Sequence, residues 1–182
     1  MGETGPDYDV TDTLVISDPA QMRAVADETR HRVLALLRDR AASVTDLAQV
    51  LGMPKGTLAH HMKVLETAGL VRVVRTRQVR ALTEKFYGRV ARLYLIEHDG
   101  EDPRLVQDIA AATLRTAASE VGSGGDGSAY HGLVRARLTK ADAERFERRL
   151  KKLVHDFRAA ETSSGTVYGL VAALYEQEQE DA

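Results

Sequence analysis

The stretch that decides the fold is residues 43–82, SVTDLAQVLGMPKGTLAHHMKVLETAGLVRVVRTRQVRAL. Its first part predicts a short amphipathic helix, because apolar residues recur at the spacing of one buried helical face; they are Val44, Leu47, Ala48 and Leu51. Ser43 and Asp46 have the spacing of a capping box, and Gly52 suits the end of the helix. A second helix follows at once, so the pattern indicates a helix-turn-helix.

The second helix is predicted over residues 54–68, because proline suits the first turn of a helix. Leu58, Met62 and Leu65 are expected to face inward. The outward face and its flanks carry cationic, imidazole and hydroxyl side chains, and the residues predicted to contact DNA there are Lys55, Thr57, His60, His61 and Lys63. Such groups donate to base edges and phosphates in a major groove.

A basic wing is predicted after this helix, with strands at residues 70–74 and 78–82 and a tip at 75–77. Residues 53–80 hold six Lys/Arg and one acid, a surplus typical of a surface that neutralises phosphates. The wing residues predicted to contact DNA are Arg75, Arg77, Gln78 and Arg80. Two helices followed by two strands indicate a winged helix-turn-helix that binds double-stranded DNA.

The runs ADETRHRVLALL (26–37) and VTDLAQVLGMPKGTLAHHMKVLETAGLV (44–71) resemble the ArsR-like family of bacterial winged helix-turn-helix regulators. The resemblance covers residues 19–98. It implies a transcriptional repressor that binds a palindromic operator as a homodimer and releases it when an effector binds. The metal-sensing branch carries a cysteine pair where this chain has Ser43 and Thr45, and the chain has no cysteine. The resemblance is therefore to the non-metal-sensing branch, with no metal site and no cofactor.

The predicted fold class is mainly α with a small amount of β, an α+β chain in three parts. Residues 1–17 are interpreted as an acidic flexible arm, 18–98 as the winged helix-turn-helix domain, and 99–182 as a C-terminal module. Within the arm, residues 11–16 are expected to form either a short strand or an extended segment. Within the domain, a helix is expected to begin at Asp18-Pro19 and to break near Asp27. Another helix is expected over residues 84–98, after the wing.

The C-terminal module is predicted as helix, strand, helix, strand, a small α/β unit for dimerisation or for a small-molecule effector. Strands are expected at residues 133–138 and 166–175. Thr139 and Asp142 predict a capped helix over residues 140–160. Its apolar stripe includes Phe146 and Phe157, which are expected in the core.

The charge of the chain is divided along its length. Residues 19–96 carry fourteen Lys/Arg and six Asp/Glu, whereas residues 1–18 carry five acids and no base. Residues 97–182 carry eleven Lys/Arg and sixteen Asp/Glu. A basic middle between acidic ends favours a nucleic-acid surface confined to the middle.

Several function classes find little support in the sequence. The chain has no apolar run near the roughly 20 residues of a membrane span and no signal peptide at its acidic start, so a cytoplasmic protein without a membrane partner is expected. It lacks a cysteine nucleophile, a G-x-S-x-G turn and a phosphate-binding loop, so no catalytic residues are predicted and it is not expected to be an enzyme. The alternative is a winged-helix module that contacts protein without binding DNA.

Overall fold

The computed structural model describes residues 6–79, 82–96, 102–123, 132–162 and 164–176. The chain divides into two compact units, one within residues 5–116 and the other within residues 117–182. The architecture is an α+β winged helix-turn-helix in the first unit. No helix in the described part of the chain is long and apolar enough to cross a membrane.

Among the described residues of the first unit, four helices precede the wing: α1 Pro19–Val25, α2 Glu28–Leu36, α3 Val44–Leu51 and α4 Lys55–Thr67. Asp18 caps α1 by accepting hydrogen bonds from the backbone N–H groups of Ala20 and Gln21. Asp27 caps α2 in the same way through the N–H of Arg30, so the predicted break near Asp27 is confirmed. Side-chain caps replace the helical partners that the first N–H groups of a helix lack.

The part of the first unit that the structure describes also contains five strands: β1 Thr11–Ile16, β2 Ala42–Ser43, β3 Val71–Val79, β4 Leu82–Arg89 and β5 Ala91–Ile96. Strand β4 lies between β2 and β3 and pairs antiparallel with both. Strands β1 and β5 form a separate parallel pair, in which Thr11 lies opposite Ala91 and Ile16 opposite Ile96.

One hydrophobic core holds the helices against these strands. The inward residues predicted for α4 are fully buried, namely Leu58, Met62 and Leu65. Val33 of α2, Leu47 of α3 and Ile16 of β1 join the same core. Because α4 buries this face against α1, α2 and α3, its opposite face is left on the surface.

The helix predicted over residues 84–98 was wrong, because this stretch forms β4 and β5 up to Ile96. Phe86 lies opposite Arg75 and Tyr87 opposite Val73, so backbone pairing with β3 decides the conformation. Successive side chains of a strand point to opposite faces of its sheet, so the helical spacing of apolar residues does not describe β4 or β5.

The interpretation of residues 1–17 as a flexible arm is corrected for residues 6–16, and residues 11–16 form the short strand that was one of the two alternatives predicted for them. Strand β1 pairs with β5, and Ile16 is fully buried. The Tyr8 hydroxyl donates a hydrogen bond to the carbonyl of Leu37 at 2.6 Å and accepts one from the N–H of Arg89 at 2.9 Å. The segment therefore forms part of the first unit.

The tip of the wing also differs from the prediction, which placed it at residues 75–77. Strand β3 runs on to Val79, which pairs with Leu82 of β4. Arg75, Arg77 and Gln78 thus stand on a strand. Arg80, the remaining predicted contact, lies outside the described residues.

Helix α5, Pro103–Ser123, begins in the first unit and ends in the second, which also contains α6, Lys140–Ala159. Thr139 caps α6 as predicted by accepting a hydrogen bond from the N–H of Asp142. The strands predicted at 133–138 and 166–175 are wrong, since the described residues there pair with no other strand. Phe146 and Phe157 keep their helical spacing but are exposed, because no described residue covers that stripe.

Candidate nucleic-acid interface

The outer face of α4 presents an exposed cationic surface. Lys55, Thr57, His60 and Lys63 are all exposed, as the spacing predicts. Lys55 forms no ion pair with any described residue, and the ammonium of Lys63 lies 3.7 Å from the carboxylate of Glu66. No side chain caps the N-terminus of α4, where Pro54 occupies the cap position. Uncapped N–H groups beside a lysine favour a bound anion such as phosphate.

Contacts at both ends of α3 and at the C-terminal end of α4 hold the helix-turn-helix in place. The Ser43 hydroxyl accepts the N–H of Asp46, and the Asp46 carboxylate accepts the N–H of Ser43, so the predicted capping box holds α3 at its start. Gly52 ends α3 in the left-handed conformation, with φ of 64°. At the far end of α4, the side-chain amide of Gln21 donates to the carbonyl of Ala68 at 3.1 Å. The C-terminal end of α4 is therefore tied to α1.

His61 departs from the other predicted contacts on α4. Its side chain is only 15% exposed, and its Nδ1 lies 3.6 Å from Oδ1 of Asp27, the residue that caps α2. The ring packs edge-on to that of His60, with centroids 6.0 Å apart. The structure therefore places His61 toward α2, away from the exposed face that carries His60.

Two arginines of strand β3, Arg75 and Arg77, lie over the aromatic ring of Phe86 in β4. The guanidinium carbons of Arg75 and Arg77 lie 5.0 and 5.4 Å from the ring centroid of Phe86, within the range of cation–π contact. Arg77 also pairs with Glu84, its cross-strand neighbour, at 2.7 Å. Gln78 accepts a hydrogen bond from the Thr83 hydroxyl at 3.0 Å. The two arginines are thereby held side by side along the wing.

The sequence did not single out the acidic residues that contact this wing. The Asp7 carboxylate lies 2.6 Å from Nη1 of Arg75, and it accepts the backbone N–H of Ala41 at 2.7 Å. Burial alone would raise the pKa of Asp7, but the hydrogen bond from Ala41 and the Arg75 guanidinium together hold that pKa below its ordinary value. Arg72 donates to the backbone carbonyl of Asp9 at 2.8 Å. The charge division along the sequence indicated two surfaces of opposite sign, and only the fold shows that they touch.

The described residues form no candidate metal centre. The part of the chain that the structure describes contains no group of three or more His, Asp or Glu side chains able to hold a metal ion. The surface formed by α4 and the wing thus offers lysine, arginine, hydroxyl and imidazole groups, which are donors suited to phosphates and base edges.

Comparison with known proteins finds a matching domain family and similar transcriptional regulators. A family model described as a helix-turn-helix domain matches residues 25–74. Two regulators from Mycobacterium tuberculosis (strain ATCC 25618 / H37Rv) are similar in sequence. The HTH-type transcriptional regulator KmtR is 38% identical over 73 residues, which is 40% of this chain and 55% of that protein. The HTH-type transcriptional regulator NmtR is 35% identical over 66 residues, which is 36% of this chain and 53% of that protein.

The chain therefore spans about half the length of these two relatives. Among solved structures, an ArsR-like transcriptional regulator from Rhodococcus sp. RHA1 aligns with 78% of this chain and 91% of its own, at 18% identity and a TM-score of 0.33. The residues matched by the family model include the helix-turn-helix and the start of the wing.

Proposed function

We propose that this chain, which is an ArsR-like winged helix-turn-helix protein, binds double-stranded DNA and regulates transcription. The observation that carries the proposal is the outer face of α4, where Lys55, Thr57, His60 and Lys63 are exposed beside an uncapped helix N-terminus. Lysines and free backbone N–H groups hold phosphates, and the exposed imidazole and hydroxyl can reach base edges. The similar proteins named above are HTH-type transcriptional regulators, which supports the same role.

We further propose that the protein acts in the cytoplasm as a homodimeric repressor on a palindromic operator. Two copies of α4 would then enter successive major grooves, with half-site centres about 10 base pairs apart. The wing arginines would lie along the backbone beside each half-site. Since the chain has no cysteine, the effector that releases DNA would not be a thiolate-bound metal, and we assign the protein to the non-metal-sensing branch.

The test is the salt dependence of binding to a fluorescently labelled duplex, measured by anisotropy between about 50 and 200 mM salt. A surface that neutralises phosphates gives an affinity that falls steeply with salt, because each contact releases condensed counterions. Lys55→Ala should weaken binding and reduce the slope by about one unit. The matched control is Lys151→Ala, which removes an exposed lysine of α6 that pairs with Glu147.

Two results would contradict the proposal. Failure of the wild-type protein to bind duplex DNA would favour a winged-helix module that contacts protein. Equal effects of the Lys55 and Lys151 variants would show that net charge, and not the face of α4, governs binding. Light scattering at the binding concentration tests the homodimer, and a monomeric mass of the free and bound protein would exclude it.

A further inference from the structure

We propose that Asp7 is a built-in phosphate mimic, which occupies the guanidinium of Arg75 in the free protein and thereby lowers the affinity for DNA. The inference rests on the proposed function, since it concerns regulation of the same surface. It assigns to the N-terminal segment, residues 6–10, a role as an electrostatic competitor for the wing.

The contact between the two side chains has the geometry of phosphate recognition. Oδ2 of Asp7 lies 2.6 Å from Nη1 of Arg75, the short distance typical of a charge-assisted hydrogen bond. A carboxylate and a phosphate both offer anionic oxygens to the planar guanidinium. Arg75 is about half-exposed in this pair, so a DNA phosphate can compete for the same donor.

The carboxylate is held in place from its other side. Oδ1 of Asp7 accepts the backbone N–H of Ala41, which precedes β2, at 2.7 Å. With one oxygen on the backbone and the other on Arg75, the carboxylate is fixed before any DNA arrives. Such a fixed charge loses little conformational freedom when it pairs with the arginine.

The neighbouring residues keep the whole segment against the wing. Tyr8 is bonded through its hydroxyl to the backbone of Leu37 and Arg89, while Arg72 donates to the backbone carbonyl of Asp9. The segment and the wing residues Arg72, Val74 and Arg75 line one shared pocket of about 270 Å³. Asp7 therefore stands beside Arg75 because the chain on both sides of it is anchored.

The position of Arg75 on the wing explains why competition between Asp7 and a DNA phosphate would change the affinity for DNA. It shares the ring of Phe86 with Arg77, so both guanidinium groups lie along the strand that the proposed function places beside the DNA backbone. Asp7 neutralises the charge of Arg75 and occupies its Nη1 donor, so a DNA phosphate has to compete with Asp7 for this arginine. Removing the negative charge of Asp7 should therefore strengthen binding through Arg75 alone.

The experiment is a double-mutant cycle on duplex affinity with Asp7→Asn and Arg75→Ala. Asp7→Asn is expected to tighten binding about three- to fivefold, the upper part of the range of an exposed ion pair, and to steepen the salt slope by about 0.9. In the Arg75→Ala background the same change should have no effect, because the competed donor is gone. Asp7→Glu, which retains the charge, should stay near the wild-type affinity.

Asp9→Asn is the matched control, because it removes the same charge from a residue that holds Arg72 through its backbone carbonyl only. Equal tightening by Asp7→Asn and Asp9→Asn would overturn the inference and leave general repulsion as the cause. Tightening that persists in Arg75→Ala would overturn it as well. If the wild-type protein and every variant fail to bind duplex DNA, the proposed function itself fails. Thermal unfolding of each variant confirms that the fold is retained, since an asparagine oxygen can still accept the N–H of Ala41.

Discussion

The ring of Tyr8 lies directly against the backbone of Gly88. A Cβ built on Gly88 would stand 2.6 Å from Cε2 of the tyrosine, closer than side chains approach one another. The Tyr8 hydroxyl reaches the carbonyl of Leu37 just beyond α2 and the N–H of Arg89 in β4. One aromatic residue thus ties the N-terminal segment to a helix end and to the wing sheet, and it requires a glycine opposite.

Gly88→Ala should therefore destabilise the first unit. The added methyl group has no space unless Tyr8 moves, and overpacking of this kind costs about 1–3 kcal/mol. Urea denaturation followed by circular dichroism measures the free energy of unfolding. Gly56→Ala on α4 is the control, because nothing lies within 4 Å of its added Cβ, and it should raise stability by up to about 1 kcal/mol. Equal stability of Gly88→Ala and wild type would show that the ring yields without cost.

Local patterns predicted much of the helix-turn-helix from the sequence. Asp18, Asp27 and Ser43 have short polar side chains directly before apolar helical spacings, and all three act as caps in the structure. Each cap binds backbone N–H groups within four residues of itself. Such caps can therefore be predicted from the local sequence without knowledge of the tertiary fold. The outer face of α4 was predictable for the same reason, since the buried face at Leu58, Met62 and Leu65 defines its opposite.

The incorrect predictions involve segments whose structure depends on contacts with residues far apart in sequence. Phe86, Val90 and Leu93 match a helical spacing, but pairing of β4 with β3 and of β5 with β1 places Phe86 and Leu93 in strands, and Val90 lies between β4 and β5. The position of His61 on the flank of α4 did not show what lies beside it, which is Asp27, 34 residues earlier in the chain. The spacing of side chains within a segment does not show which distant segment will pair with it as a strand. Such pairing in the folded protein overrides the local preference for a helix.

Ser43→Ala should weaken α3 by removing the capping box. The Ser43 hydroxyl accepts the N–H of Asp46 at 3.2 Å and donates to its carboxylate at 2.9 Å, and Ser43 is almost fully buried. Loss of such a cap lowers the free energy of unfolding by about 1–2 kcal/mol, which chemical denaturation can resolve. Thr45→Ala, an exposed position in the same helical turn, should change stability by less than about 0.5 kcal/mol. Similar losses in both variants would argue against a specific role for the cap.

Acidification should destabilise the first unit through His31. This α2 residue lies between two hydroxyls of α5, with Nε2 3.2 Å from Thr113 and Nδ1 3.3 Å from Thr116. Burial, and then the charge of Arg89, lower the pKa of His31 in the folded protein. Below about pH 6.5 the unfolded chain binds a proton that the folded protein does not, so stability is complete above that pH and falls beneath it.

The measurement is the melting temperature of wild type and His31→Gln between about pH 7.5 and 5.5, a range around the ordinary histidine pKa. The wild-type protein should lose more stability across this range than the variant, because all other histidines are common to both. His155→Gln, at an exposed position of α6, should retain the wild-type pH dependence. Parallel curves for wild type and His31→Gln would refute the assignment.

Arg77→Ala should weaken binding to every DNA sequence by a similar factor. Its guanidinium lies over Phe86 beside that of Arg75, a position suited to phosphate contact. Loss of one such contact reduces the salt slope by about one unit without changing sequence preference. Arg115→Ala is the matched control, since it removes an arginine of α5 that also faces a carboxylate, that of Glu28 at 3.6 Å. A loss confined to one operator sequence would instead assign Arg77 to base recognition.

His60→Ala should change which sequences bind, and not only how tightly. The imidazole is exposed on the outer face of α4, where an inserted helix meets base edges, while His61 beside it points toward Asp27. Removing a base contact relaxes discrimination at one position by about 1–3 kcal/mol. Selection of bound duplexes from a random pool, for wild type, His60→Ala and His61→Ala, measures this directly. If His60 reads a base, only its variant loses a preferred position, whereas His61→Ala affects stability through α2 and keeps the wild-type consensus. An unchanged consensus for His60→Ala would leave sequence recognition to other residues of the surface.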